Sequence, residues 1–251
     1  GLAFWAMLPW TLKLPIGHLV DLIWRYKGFL VLLGALLIAS SIGIMVGLLS
    51  VRAAMEAILP AGSWYVISVI LAPVGYVIQD VVADAMTVEA VPATDPDGRI
   101  LTDAQQRLMH STMQTLGRVS TIIGTLAVAL VNVYMFKDVE GLREIDKVGI
   151  YLQIYQMALV IPLISCLGVL LATFLRHHYR RKLKRLGYTR QEIDKLTHEP
   201  QQEAQANWVI LGGGLLFAVL SIGIGIANFR YGQEIIFLVS SSIIISLMIR
   251  I

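Results

Sequence analysis

The sequence predicts an all-α membrane protein with about seven membrane-spanning helices. Hydrophobic residues make up 57% of the 251 residues and charged residues only 15%, whereas soluble domains carry about 25% charged residues. The apolar residues form long continuous runs, and about 20 such residues allow a helix to cross the hydrocarbon core. A transmembrane barrel would instead show short segments of alternating polarity. We therefore expect helices throughout the chain.

Seven apolar segments are candidates for membrane spans. They lie at residues 1–20, 29–50, 63–86, 113–136, 148–175, 207–228 and 234–251. The connection at 176–206 is long and rich in Lys and Arg. Because cytoplasmic loops hold the excess of basic residues, this connection is predicted to be cytoplasmic, and alternation of the spans then places residue 1 on the outer side.

The two ends of the sequence favour a piece of a longer protein. Gly1 opens directly into an apolar segment, and the chain ends at Ile251, inside or just past the last one. A complete seven-helix protein is the alternative. In either case we expect a multi-pass integral protein of a bacterial inner membrane or an equivalent membrane.

Three carboxylates, Asp80, Asp84 and Glu89, stand at the end of an apolar segment. Charge at membrane depth costs about 2.5–3.5 kcal/mol per group on insertion scales, so it usually faces a bundle interior or a water-filled path. Asp80 and Asp84 share one helix face, and like charges there repel each other, so one carboxyl is expected to hold a proton readily. The alternative is that both cap or pair at the helix end, with Glu89 solvated.

Two basic residues are candidates for charges buried at membrane depth. Arg118 lies about one turn into an apolar segment, where it must pair or reach the headgroups, and a bond to Asp80 or Asp84 would satisfy it. Lys13 is the second candidate, with snorkelling towards the interface as its alternative. The predicted residues of substrate binding or proton coupling are Asp80, Asp84, Arg118, Glu89 and Lys13.

The short turn after the first segment contains a second predicted feature. Asp21 ends that segment, Gly17 precedes it by one turn, and Arg25 and Lys27 follow. Such charges can join helices in one conformer if their partners separate in the other. We predict that Gly17, Asp21, Arg25 and Lys27 form a conformational latch.

Glycine and proline positions predict how the helices pack. Gly43 and Gly47 stand four residues apart, a spacing that lets neighbouring backbones approach closely. We therefore expect tight helix contact at this pair. Pro73 and Pro162 lie within apolar segments and are expected to interrupt their helices.

Signals of enzymatic chemistry are weak. The sequence has no His-Glu-x-x-His or Cys-x-x-Cys spacing and no phosphate-binding glycine loop, so we expect no enzyme activity, cofactor or metal. Nucleic acid is not an expected partner, because no folded soluble domain accompanies the basic charge at 176–206. That charge is expected to contact lipid headgroups or to act only as a topology signal.

The arrangement resembles the major facilitator superfamily, whose two six-helix halves are joined by a long cytoplasmic loop. The run Gly17-His18-Leu19-Val20-Asp21 is similar to its signature between the second and third helices, although Leu22 replaces the usual basic residue. Aligned in this way, the chain holds helices two to eight. Residues 1–175 are most of the N-terminal half without its first helix, 176–206 are the inter-half loop, and 207–251 begin the C-terminal half.

A narrower resemblance is to the folate/biopterin transporter family. The run from Lys13 to Asp21 looks like its Lys-Pro, Gly and Asp pattern with Leu14 inserted, and the run from Asp80 to Glu89 is similar to its acidic fourth-helix motif. These resemblances imply a symporter that moves a small organic solute by alternating access, coupled to a proton or another ion. The alternative is a transporter-like subunit that assists membrane assembly or pigment delivery without transporting.

Overall fold

A computed structural model describes residues 9–10, 13–23, 26–89, 101–137, 139, 141, 143–187, 189–190, 207–227 and 231–249. The side chains of some helical residues, Glu89 among them, are outside this description. All regular structure within the described ranges is helical, and none of them forms a strand. The predicted all-α fold is therefore confirmed.

The described helices are named here in chain order. They are α1 (Lys13–Leu22), α2 (Lys27–Ser50), α3 (Arg52–Glu56), α4 (Ala61–Glu89), α5 (Asp103–Met135), α6 (Glu144–Ala158), α7 (Val160–Arg185), α8 (Trp208–Ile226) and α9 (Gly232–Ile249). The basic connection expected at 176–206 thus begins as the last turns of α7.

Four helical stretches among the described residues are long and apolar enough to cross a membrane. They are Lys27–Ser50, Ala61–Met86, Asp103–Met135 and Lys147–Arg185. They correspond to four of the seven expected spans. The apolar core of α8, Leu211–Ile224, is shorter than these, and most of the first expected span lies outside the described residues.

Local sequence explains where two of the long helices begin. Helix α5 starts with a capping box, in which the Gln105 backbone N–H donates to Thr102 Oγ1 at 3.4 Å and Gln105 Oε1 accepts from the Thr102 backbone N–H at 3.0 Å. Pro162 lies in the first turn of α7, where its missing N–H removes no helical hydrogen bond. Pro73, by contrast, lies inside α4, which continues past it, so the interruption expected there is not formed.

Helices α2 and α4 pack antiparallel and form the most extensive helix contact in the described chain. They approach most closely at Gly34 and Gly75. A Cβ atom on Gly75 would lie 2.7 Å from Gly34 O and 2.7 Å from Ile38 Cγ1, so only glycine fits without displacement of the neighbouring helix.

The expected close approach at Gly43 and Gly47 is wrong for Gly43. A Cβ atom there would meet nothing within 4 Å. Gly47 does lie against another residue, because a Cβ atom would be 2.9 Å from Met55 Sδ. Met55 belongs to the short helix α3, however, so this contact packs α3 against the end of α2 and does not join two long helices.

A buried pair of serines joins α2 to α4 on one side of the glycine contact along the helix axes. Ser41 Oγ donates to Ser68 O at 2.8 Å, and Ser68 Oγ donates to Ser41 O at 3.0 Å. On the other side of the glycine contact, Gln79 Nε2 donates to Val31 O at 3.1 Å. These bonds satisfy polar groups that would otherwise be buried in an apolar interface, and they fix the register of the two helices.

Replacing Ser68 with Ala is expected to lower the thermal stability of the detergent-solubilised protein slightly. One donated bond is lost, and such bonds between membrane helices contribute about 0.6 kcal/mol on average. The control is Ser50→Ala, because Ser50 Oγ is exposed and donates only to Val46 O of its own helix, at 2.7 Å. A larger stability loss for the Ser50 variant than for the Ser68 variant would contradict this role of the serine pair.

An apolar cluster anchors α1 to this helix pair. Val20 of α1, Leu30 of α2, and Val77, Val81 and Val82 of α4 are all buried in it. Helices α6 and α7 pack on α2, and α8 packs on α1. Helix α5 lies at the margin, with every residue from 121 to 130 exposed.

Candidate functional site

Charged groups of α1 and α4 meet where the two helices cross. Lys13 Nζ lies 2.5 Å from Asp80 Oδ2 and 2.8 Å from Asp84 Oδ2. We call these three residues the Lys13–carboxylate cluster. One ammonium group therefore serves two carboxylates, and when all three groups are ionised the cluster carries one net negative charge.

The cluster is open to its surroundings on one side. The side chains of Lys13 and Asp80 are each 40% exposed, and that of Asp84 is 66% exposed. A cleft of about 270 Å³ lies beside them, which we call the α1–α4 cleft. It is lined by Lys13, Gly17, Asp21, Val81, Asp84 and Ala85.

Apolar packing sets the register that brings these charges together. Gly17 rests against Val81, where an added Cβ atom would lie 3.9 Å from Val81 Cγ1, an ordinary van der Waals distance. One turn further along α1, Val20 is buried in the cluster with Val77. Because the two helices run antiparallel, one turn in the opposite direction places Lys13 beside Asp80 and Asp84.

The structure brings together residues that the sequence assigned to two different features. Lys13 and Asp84 were predicted for coupling, whereas Gly17 and Asp21 were predicted for the latch, and all four line the α1–α4 cleft. Lys27 begins α2, outside the lining. Arg25 and the side chain of Glu89 lie outside the described residues, so their predicted roles stay predictions.

Arg118 does not form the suggested bond to Asp80 or Asp84. It is exposed on α5, and the ion pairs of Asp80 and Asp84 formed within the described residues are those with Lys13. Within the part of the chain that the structure describes, the counter-charge of the carboxylates is thus Lys13. Its Nζ reaches α4 from the adjacent helix and pairs there with both carboxylates.

Sequence reasoning missed three residues near the site. Ala85 lines the cleft, but a small apolar residue gives no chemical signal. Gln79 precedes Asp80 and bonds to α2, and a lone amide in an apolar run was the available signal for it. His18 Nε2 accepts a hydrogen bond from the Asn207 backbone N–H at 2.7 Å, which joins α1 to the start of α8.

The donor groups of the described residues do not assemble a metal site, since no cluster of three or more His, Cys, Asp or Glu side chains occurs among them. Comparison of the chain with known protein families, curated proteins and solved structures gives no match. Membership of the major facilitator superfamily therefore stays a prediction from the sequence motifs.

Proposed function

We propose that this protein is a secondary active transporter of the major facilitator type, which moves a small organic solute by alternating access with a proton or another ion as the coupling partner. The observation that carries the proposal is the Lys13–carboxylate cluster, two of whose members, Lys13 and Asp84, line the α1–α4 cleft. Asp80 and Asp84 lie in the last third of α4, a helix of membrane-spanning length and hydropathy.

The charge of the cluster supports a coupling role. A fully ionised cluster places two carboxylates and one ammonium group near the membrane, where charge is costly. Binding of one proton to Asp80 or Asp84 makes the cluster neutral and leaves Lys13 paired with the other carboxylate. If the two protonation states favour different conformers, proton binding shifts the balance between them.

The proposal extends to the orientation and the surroundings of the chain. Residues 1–175 belong to the N-terminal half, 207–251 begin the C-terminal half, and the basic connection at 176–206 is cytoplasmic and contacts anionic lipid headgroups. The basic residues of the last turn of α7, Lys182, Lys184 and Arg185, belong to that connection. Such a topology follows the excess of Lys and Arg in cytoplasmic loops.

The test is uptake by vesicles that contain the purified protein, driven by a pH gradient. The first solutes offered are folic acid and biopterin, because of the motif resemblance, followed by a wider set of small organic solutes. We expect accumulation that a protonophore abolishes and that the double variant Asp80→Asn, Asp84→Asn loses. Uptake that ignores the gradient contradicts the coupling, and failure with every solute favours the non-transporting assembly subunit.

Replacing Arg118 with Ala is expected to abolish uptake while expression stays intact. Arg118 is exposed on a helix of membrane-spanning length, where an unpaired guanidinium is retained only at a cost. The measurement is solute uptake normalised to the amount of protein in the vesicles. Normal uptake by the variant would show that transport does not require Arg118.

A further inference from the structure

Helix α5 carries a stripe of polar residues along one face. With about 100° of rotation per residue, eight polar side chains fall within a stripe about 80° wide. These residues, which we call the α5 polar face, are Asp103, Arg107, His110, Gln114, Arg118, Thr121, Thr125 and Asn132. Val128 is the apolar residue that interrupts the stripe. The opposite side carries exposed apolar residues such as Leu116, Ile123 and Leu130.

Hydroxyl groups alone do not distinguish the two sides of α5. Thr121 Oγ1 donates to Gly117 O at 3.1 Å and Thr125 Oγ1 donates to Thr121 O at 2.9 Å. Ser120, on another side of the helix, makes the same kind of bond to Leu116 O at 2.9 Å. A hydroxyl bonded in this way to its own helix is tolerated next to lipid.

Acidic, guanidinium and imidazole side chains do distinguish the two sides. Asp103, Arg107, His110 and Arg118 all lie on the α5 polar face, together with Gln114 and Asn132, whereas Gln105 and Gln106 lie off it in the first turns of the helix. Groups of this kind rarely face lipid within a spanning segment and instead face protein or a water-filled cavity. The helix is apolar enough to cross a membrane, so its polar face needs one of these two environments.

Packing within the described residues does not bury this face. Every residue from 121 to 130 is exposed, and α5 meets α4 and α6 only through small contacts. The hydroxyl protons of Thr121 and Thr125 are already donated to the backbone, so their oxygens remain free to accept hydrogen bonds. The surface therefore presents acceptors, two amides and the Arg118 guanidinium to whatever lies in front of it.

We propose that the α5 polar face is a wall of the aqueous path through which the solute crosses the membrane. Thr121, Thr125 and Asn132 line its deeper part, and Arg118 supplies a fixed positive charge. A solute that donates N–H or O–H hydrogen bonds suits the threonine oxygens. This inference rests on the proposed transport function, but the presence of water along α5 is measured independently of uptake.

The test uses single cysteines in a Cys166→Ser background, since Cys166 is the sole cysteine of the chain. Thr121→Cys and Thr125→Cys place thiols on the α5 polar face. Ile123→Cys is the matched control, because it lies midway between them in depth and on the opposite side of the helix. Each variant is treated in native membranes with a charged methanethiosulfonate reagent, and then with N-ethylmaleimide after denaturation to count all thiols.

We expect the charged reagent to modify the cysteines at 121 and 125 and to leave the one at 123 unmodified. Modification of none of the three means that protein covers the face, and modification of all three, or of 123 alone, means that α5 is not placed as inferred. Any of these results overturns the inference. Selective modification without uptake of any solute contradicts only the transporter proposal, whereas uptake without modification at 121 and 125 contradicts only the aqueous wall.

Discussion

Replacement of Lys13 with Ala is expected to reduce solute uptake at least about tenfold, equivalent to about 1.4 kcal/mol of transition-state stabilisation, while the protein still inserts into membranes. The substitution leaves Asp80 and Asp84 one turn apart without the ammonium group that lies within 2.8 Å of both. Their repulsion then acts in every conformer. The measurement is initial uptake in vesicles with matched protein content.

Two further variants make the Lys13 result specific. Arg52→Ala also breaks an ion pair, between Arg52 Nε and Glu56 Oε1 at 2.8 Å, but this pair is exposed on α3, and such pairs contribute only about 0.2–1 kcal/mol. Its uptake should match the original protein. Lys13→Arg keeps the charge and should retain part of the uptake. Full uptake by Lys13→Ala, or an equal loss in Arg52→Ala, would contradict the role of the cluster.

Replacement of Gly75 with Ala is expected to destabilise the protein and to weaken the contact between α2 and α4. The added methyl group would lie 2.7 Å from both Gly34 O and Ile38 Cγ1. One of these belongs to the helix backbone, so the clash cannot be relieved by a side-chain rotation. Overpacking of this kind costs about 1–3 kcal/mol, and the measurement is the midpoint of thermal unfolding in detergent.

The control for this prediction is Gly43→Ala in α2, the helix that faces Gly75. A Cβ atom at position 43 meets nothing within 4 Å, and Ala favours a helix over Gly by up to about 1 kcal/mol. The Gly43 variant should therefore unfold at the same temperature or higher. If Gly75→Ala is as stable as Gly43→Ala, the two helices do not approach as closely as described.

The helical class and the position of the long spans were predictable from the sequence because they depend on local composition. Continuous apolar runs gave α2, α4 and α5 within a few residues of their bounds, except that α5 begins ten residues earlier, at its Thr102 capping box. The polar first turns of α5 are helical because the capping box stabilises the start of the helix. Hydropathy alone does not report such a start.

The partners within the site were less predictable because they depend on helix register. Asp80 and Asp84 were identified from their spacing, and Lys13 was recognised as an unusual charge, yet Arg118 was favoured as their counter-charge. Whether Lys13 or Arg118 pairs with the carboxylates depends on how α1 packs against α4 at Gly17 and Val81. The same limit applies to glycine, since Gly34 and Gly75 meet only because α2 and α4 are antiparallel in one register.

The most direct test of the central claim compares two spin labels on α4 in the Cys166→Ser background. Ala85→Cys lies in the cleft lining, and Ala83→Cys is exposed on a different side of the helix two residues earlier. Relaxation by an aqueous nickel complex and by lipid-soluble oxygen is measured for each label in vesicles. We predict that nickel reaches the label at 85 and oxygen the label at 83. Nickel access at both positions would place the carboxylates in bulk water beyond the lipid, and oxygen access at both would mean that no water-filled cleft exists beside them.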